Sequence, residues 1–291
     1  MITHNKLPKV SVDRFFLLIP ALALLATFAI AFVVYAVRCA RGRAPEMGEV
    51  KHNLVFGRFL ARFLVWLISP IERLLVGRVS PNVITAASLA LCAIAGGAVA
   101  VGRLASAVWL FAIAGILDVL DGRLARKAQH DSQAGALFDS VSDRWGELFV
   151  FGGYLWFLRD STWLVAVLVA LGGSMMVSYT RARAEGLGVR LATGVMQRAE
   201  RIVVITGGTL VAAWVGLVDG DMVTPILGIT MLVCGVASTG TAINRFVVAY
   251  RVLAARKAEP LVVLPAPRPP LISAPTPGHA VRKVTVTQAS R

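Results

Sequence analysis

Apolar residues along most of this chain run unbroken for many positions rather than recurring in short stripes. Seven such stretches stand out, at roughly 15–37, 82–101, 104–122, 134–157, 162–180, 202–218 and 222–243. About 20 helical residues cross the hydrocarbon of a bilayer. In lipid the backbone must satisfy its own hydrogen bonds, so each stretch is expected to be a transmembrane helix. The third and fourth are interrupted by aspartates.

One segment has a different pattern. In "VFGRFLARFLVWLISP", Phe56, Phe59, Leu60, Phe63 and Leu67 recur at helical spacing, while Arg58 and Arg62 fall on another face. That predicts an amphipathic segment over 55–77 lying on the cytosolic membrane surface, its helix ended near Pro70. Ser80 is expected to cap the next helix, with Pro81 at its first position. The end of the chain, 258–291, holds seven of the 13 prolines without helical periodicity and is expected to be disordered. The predicted organisation is an N-terminal anchor and linker (1–45), a membrane domain (55–250) with six transmembrane helices over about 80–246, and a proline-rich basic tail. The first apolar run is too long for a typical signal-peptide core, and Arg38 before Cys39 spoils a lipoprotein-type cleavage site, so an uncleaved anchor is expected.

Composition agrees. The chain has 291 residues, 57% hydrophobic and 16% charged, with a mean hydropathy of +0.72. That excludes an ordinary soluble domain. The net charge of +14 follows topology. Basic residues gather in 38–81, 123–127, 181–201 and after 245, whereas the connections at 102–103, 159–160 and 219–221 are short. The positive-inside rule puts the aspartate segment and the tail in the cytosol and the N-terminus outside, in the cell's inner membrane. Anionic lipid accounts for the rest of the charge, and no nucleic-acid partner is needed. Cys39, Cys92 and Cys234 lack metal-ligand spacing and read as small apolar fillers.

The chemistry lies in "LDVLDGRLARKAQHDSQAGALFDSVSDRW", residues 117–145. Asp118, Asp121, Gly122 and Ala125 are spaced i, i+3, i+4, i+7 and share one helix face. Gly135, Asp139 and Asp143 share a face of the next helix. The short connection suggests antiparallel neighbours whose aspartate faces meet. Four carboxylates there repel one another and are costly to bury. Arg126 and Arg144 are candidate counter-ions, which would make the cluster purely structural. The alternative is one or two hard divalent cations, Mg2+ or Mn2+, since the donors are all oxygen. Metals and arginine at a membrane surface suit diphosphate chemistry. A cation transporter and a non-catalytic scaffold are the competing classes.

The run Asp118-x2-Asp121-Gly122-x2-Ala125-Arg126-x8-Gly135-x3-Asp139-x3-Asp143 resembles the signature of the CDP-alcohol phosphatidyltransferases. "SPNVIT" is similar to the start of that family's first core helix. The resemblance covers about 55–250. It implies an all-α integral membrane protein with a six-helix core, here preceded by the extra N-terminal helix and the amphipathic helix, commonly homodimeric. It implies transfer of a phosphatidyl group from CDP-diacylglycerol to an alcohol, releasing CMP. Asp118, Asp121, Asp139 and Asp143 would ligate two metals, and Asp143 would serve as general base. Pro81, Thr85, Gly122, Ala125, Arg126 and Gly135 would bind the liponucleotide.

Ser178, Arg181, Arg183, Arg198, Arg201 and Arg245 cluster on the predicted cytosolic side. Such charges mark topology; as a set they also suit a phosphate pocket, oriented by Glu185 and Glu200. The run Gln197-Arg198-Ala199-Glu200-Arg201 and the preceding "ARAE" resemble the phosphatidylinositol phosphate synthase branch. That implies inositol phosphate as acceptor, with glycerol 3-phosphate as the alternative. The first span, which carries little polar chemistry, is expected to be dispensable for turnover.

Overall fold

The computed structural model describes residues 12–42, 57–127, 132–191 and 194–256. The predicted tail (258–291) and most of the linker before residue 57 lie outside them. Among the described residues the chain is all-helical. The helices are α1 (Val12–Ala40), α2 (Gly57–Leu75), α3 (Pro81–Ala100), α4 (Leu104–Lys127), α5 (Gln133–Phe157), α6 (Leu164–Gly186), α7 (Arg198–Val215) and α8 (Val223–Ala255). Helices α3, α4 and α6 and the segment Gly220–Ala255, which contains α8, are long and apolar enough to cross a membrane. Helix α5 is interrupted by its charged residues, and α7 has only 18 residues.

Helices α3 to α8 form a closed ring. Helix α3 packs on α4 and α5, α5 on α6, α6 on α8, α8 on α7, and α7 back on α4. Lipid gives no hydrophobic drive between helices, so close packing of small residues must hold the ring. A Cβ on Gly96 would stand 2.1 Å from Phe149 O, and one on Gly153 would stand 2.1 Å from Gly96 O, so only glycines allow α3 and α5 to pack this closely. At the α6–α8 contact, a Cβ on Gly235 would lie 2.8 Å from Ala170 N. Inside the ring, Phe111, Phe151, Tyr154, Ile205, Leu227 and Met231 form one apolar core. Cys92 and Cys234 are buried free thiols in that core, and Cys39 is also unbridged.

Three local expectations are corrected. Pro70 does not end the amphipathic helix, because α2 continues to Leu75. What holds the distal turn is Glu72, fully buried, hydrogen-bonded by Arg123 Nη2 at 3.0 Å and ion-paired with Lys127 Nζ at 3.0 Å, both from α4. The Ser80 side chain makes no capping bond; instead its carbonyl accepts from Val83 N at 3.0 Å. Helices α4 and α5 are not packed neighbours, for α3 lies against both and their aspartates meet beside it. The small α3 side chains Thr85, Ser88 and Cys92 are buried where it does so.

Helix α1 docks on α2. Phe63 is fully buried, with the rings of Phe28, Phe32 and Tyr35 at 5.0, 5.1 and 5.6 Å. Edge-to-face aromatic packing of this kind adds stabilisation beyond area burial.

Candidate active site

The aspartates occupy the ends of α4 and α5 that project past the purely apolar stretches. Asp118, Asp121, Gly122 and Ala125 share one α4 face, and Gly135, Asp139 and Asp143 share one α5 face. Helix α5 starts there because Ser132 caps it, its hydroxyl accepting from Gly135 N at 2.9 Å. Asp118, Asp121 and Asp139 each present a carboxylate oxygen, and the three lie within 4.8 Å of one another. Clustered oxygen donors without His or Cys fit a hard divalent cation, and like charges this close favour taking one.

Asp121 is the buried member, 3% exposed. Its Oδ2 accepts from Thr85 Oγ1 at 2.6 Å, and its Oδ1 from Gly122 N at 2.6 Å. Both donors are neutral, so they orient the carboxylate and leave its charge uncancelled. Thr85, singled out for the liponucleotide, therefore contacts a candidate metal ligand directly. Pro81, whose carbonyl lies 3.2 Å from the same hydroxyl, opens α3 one turn earlier.

Of the two counter-ions the spacing suggested, Arg144 pairs with Asp143, but the closest cation is a third arginine. Arg198 Nη1, from the start of α7, donates to Asp118 Oδ1 and to Asp143 Oδ1. Arg144 stands 3.7 Å from Asp143, with the same nitrogen bonded to Ser140 Oγ at 2.9 Å. Arg126 is exposed, and its guanidinium lies where a Gly122 Cβ would come within 3.6 Å of Nη1. Thr85, Ser88, Cys92, Asp118, Ser142, Asp143 and Arg198 come together around a narrow recess. At Gly135 an added Cβ would lie 3.0 Å from Ser132 Oγ and 3.6 Å from Asn82 Oδ1. Ala125 is half-buried on the aspartate face.

The remaining arginines do not form one pocket. Arg201, 3% exposed, donates from Nη2 to Glu147 Oε1 and from Nη1 to Met196 O at 3.3 Å. Glu147 Oε2 accepts from Ser174 Oγ at 2.6 Å, so this buried network ties α5, α6 and α7 together. Arg245, equally buried, donates to Val177 O at 2.9 Å. Beside it Gly194 has φ +136°, and a Cβ there would meet Thr241 at 2.4 Å. Arg181 is exposed and pairs with Glu185 at 2.8 Å; Arg183 is exposed and Ser178 half-buried. Glu200 is buried near the start of α7. Sequence reasoning missed Glu147, whose only signal was its position one turn beyond Asp143.

Residues 78–240 match the model of the CDP-alcohol phosphatidyltransferases. The chain is 34% identical over 169 residues to the phosphatidylinositol phosphate synthase of Mycobacterium marinum, covering 56% of this chain and 67% of that one. It is 40% identical over 122 residues to the archaetidylinositol phosphate synthase of Methanothermobacter thermautotrophicus, covering 42% and 61%. The matches thus span roughly two thirds or less of these relatives' own lengths. The crystal structure of the Mycobacterium tuberculosis phosphatidylinositol phosphate synthase with CDP-DAG bound aligns with a TM-score of 0.55 at 29% identity, covering 64% of this chain and 94% of that chain. The same enzyme in complex with manganese and citrate aligns with a TM-score of 0.56 at 28% identity, covering 62% and 88%.

Proposed function

The chain belongs to the CDP-alcohol phosphatidyltransferase family, and from that premise we propose that it transfers a phosphatidyl group from CDP-diacylglycerol to a phosphorylated alcohol. Inositol phosphate is the favoured acceptor, and glycerol 3-phosphate is the second. The observation that carries the reading is the convergence of Asp118, Asp121 and Asp139 within 4.8 Å inside the segment that matches the family. The chain's similarity to a phosphatidylinositol phosphate synthase and an archaetidylinositol phosphate synthase favours inositol phosphate.

In this reading Asp118, Asp121, Asp139 and Asp143 hold two divalent ions, Mg2+ or Mn2+. Bound there, the ions neutralise diphosphate charge and polarise the attacked phosphorus. Thr85 and the Gly122 amide keep Asp121 oriented for that duty. The acceptor hydroxyl attacks the phosphorus that carries diacylglycerol, the phosphorus–oxygen bond to CMP breaks, and the hydroxyl proton passes to a carboxylate oxygen of Asp143. Arg198, already beside Asp143, faces the incoming acceptor phosphate. Of the other basic-side residues, Ser178, Arg181 and Arg183 remain accessible to an acceptor, whereas Arg201 and Arg245 are engaged inside the protein by Glu147 and Val177 O and support the site from behind. Pro81, Gly122, Ala125, Arg126 and Gly135 receive the nucleotide, with room left by the missing or small side chains.

The protein is an integral membrane protein, and we place the site on the cytosolic side of the inner membrane in a homodimer; the distribution of basic residues supports that orientation. Purified protein given CDP-diacylglycerol, Mn2+ or Mg2+, and a panel of inositol phosphate, glycerol 3-phosphate, inositol and serine tests the reading by CMP release. Release with inositol phosphate alone is expected. Release with serine or free inositol in preference would overturn the acceptor, and no release with any alcohol would overturn the reaction.

A further inference from the structure

Behind the aspartate face, α4 is gripped by an element that precedes the family-matched segment. Asp118, Asp121, Gly122 and Ala125 look one way; Arg123 and Lys127, four residues apart, look the other. Both cations end on Glu72 of α2. Arg123 Nε and Nη2 donate to its Oε2 at 3.1 and 3.0 Å, and Lys127 Nζ stands 3.0 Å from Oε1. Glu72 is 0% exposed, and Arg123 retains 17% of its side-chain exposure. Beside this cluster an apolar contact joins the same elements. Leu120 and Leu124 of α4, each 1% exposed, pack with Ile84, Leu75, Val76 and Val79.

Helix α2 is itself held from the other side. Tyr35 of α1 is 1% exposed between Phe63 and Trp66, and Arg38 lies over the Trp66 ring at 5.9 Å. The chain of contacts therefore runs from α1 through α2 to the last two turns of α4. Those turns carry Asp121, Gly122 and Arg126.

We infer that Glu72 is a positioning residue for the metal and liponucleotide half of the site, fixing the rotation of the end of α4 through Arg123 and Lys127. The physical reason is the cost of buried charge. A carboxylate removed from water must be met by its partners, so the two cations can sit in only one place, and α4 turns with them. A twist of those last two turns would swing Asp121 away from Thr85 and Asp139, while Asp118, one turn earlier, stays on Arg198. Among the described residues the ion pairs of Glu72 are with Arg123 and Lys127 of α4, and Arg198 is held by Asp118 and Asp143 instead, so the acceptor side should not feel the change. This inference rests on the metal-dependent transfer proposed above.

The test uses the full-length protein with Glu72→Gln, read by two independent signals. One is Mn2+ affinity, measured by electron paramagnetic resonance without any substrate. The other is the pair of KM values from CMP release. About tenfold weaker Mn2+ binding and about tenfold higher KM for CDP-diacylglycerol are expected, with the acceptor KM unchanged. A folded Glu72→Gln protein with wild-type Mn2+ affinity and wild-type KM values overturns the inference, and so does an equal rise in both KM values. If Glu72→Gln does not fold, Lys127→Gln removes only the half-exposed cation. A smaller shift in the same two constants is then expected, and none overturns the inference. Failure of the parent reading looks different, because wild-type protein would then release no CMP at all.

Discussion

Two charged regions face each other across the ring, and they handle charge in opposite ways. On α4 and α5, carboxylates of like sign are gathered within 4.8 Å, with neutral donors on Asp121. On α6 to α8, cations of like sign are dispersed, each on its own acceptor: Arg201 on Glu147, Arg245 on Val177 O, Arg181 on Glu185. The first arrangement stores repulsion that a cation relieves; the second is largely satisfied by the protein itself. Among the described residues, Arg198 is the arginine of the second region that reaches the clustered aspartates themselves, Asp118 and Asp143. The lesson is that local charge density identifies a ligand site where part of that charge, here Asp121, is met by neutral donors and not by a cation.

The comparison breaks first if the carboxylates do not need a cation. Chelation is expected to abolish CMP release, and Mg2+ or Mn2+ to restore it. Asp121→Ala should act similarly by lowering occupancy. A metal contributes several kcal/mol of charge stabilisation at the transition state, so a loss of about a thousandfold or more is expected. Full activity in excess chelator would show the cluster to be structural.

The next largest effect separates buried from bridging arginines. Arg201→Ala strands Glu147 as an uncompensated buried charge and is expected to cost about 3–5 kcal/mol of stability. Arg198 keeps 20% side-chain exposure, so Arg198→Ala should melt near the wild-type temperature while losing turnover. Thermal unfolding in detergent, run beside kinetics, reads both. Equal destabilisation of the two variants would erase the distinction drawn between them.

How much of this was legible beforehand follows from distance along the chain. The aspartate faces are set by spacings of three and four residues on single helices, and helical periodicity suffices to read them. The Arg198 bridge spans 80 residues to Asp118 and 55 to Asp143. Nothing in local spacing separates Arg198 from Arg183, and both looked equally basic. Pro70 misled for a related reason. Its local cost to a helix is real, but the buried Glu72 cluster two residues later outweighs it. The placement of α3 beside both aspartate helices also escaped, because a short connection between α4 and α5 says nothing about a third helix. The contacts of the extra first helix with Phe63 and Trp66 likewise appear only in three dimensions.

A smaller effect tests the open side of the aspartate site. Gly135→Leu places a branched side chain where even a Cβ comes within 3.0 Å of Ser132 Oγ. Forced crowding costs about 1–3 kcal/mol, which is about one to two decades in affinity if it falls on the nucleotide. The KM for CDP-diacylglycerol is expected to rise with expression retained. Normal nucleotide binding by the variant would make Gly135 a packing residue of the α5 start.

The smallest effect belongs to Arg183, and it sharpens the comparison from the satisfied side. Arg183 lies in the last turn of α6, exposed to solvent. An exposed charge facing a phosphate is screened by water and salt, and such pairs contribute about 0.2–1 kcal/mol. Arg183→Ala is therefore expected to raise the acceptor KM by no more than about fivefold. The increment should shrink further as ionic strength rises, because the Debye length falls to about 3 Å at 1 M salt. The KM for CDP-diacylglycerol should not move. Acceptor kinetics at low and high salt decide the matter. A tenfold or larger, salt-insensitive rise would mean that the end of α6 closes over the acceptor and buries Arg183 against its phosphate, making this arginine as much a part of the site as Arg198.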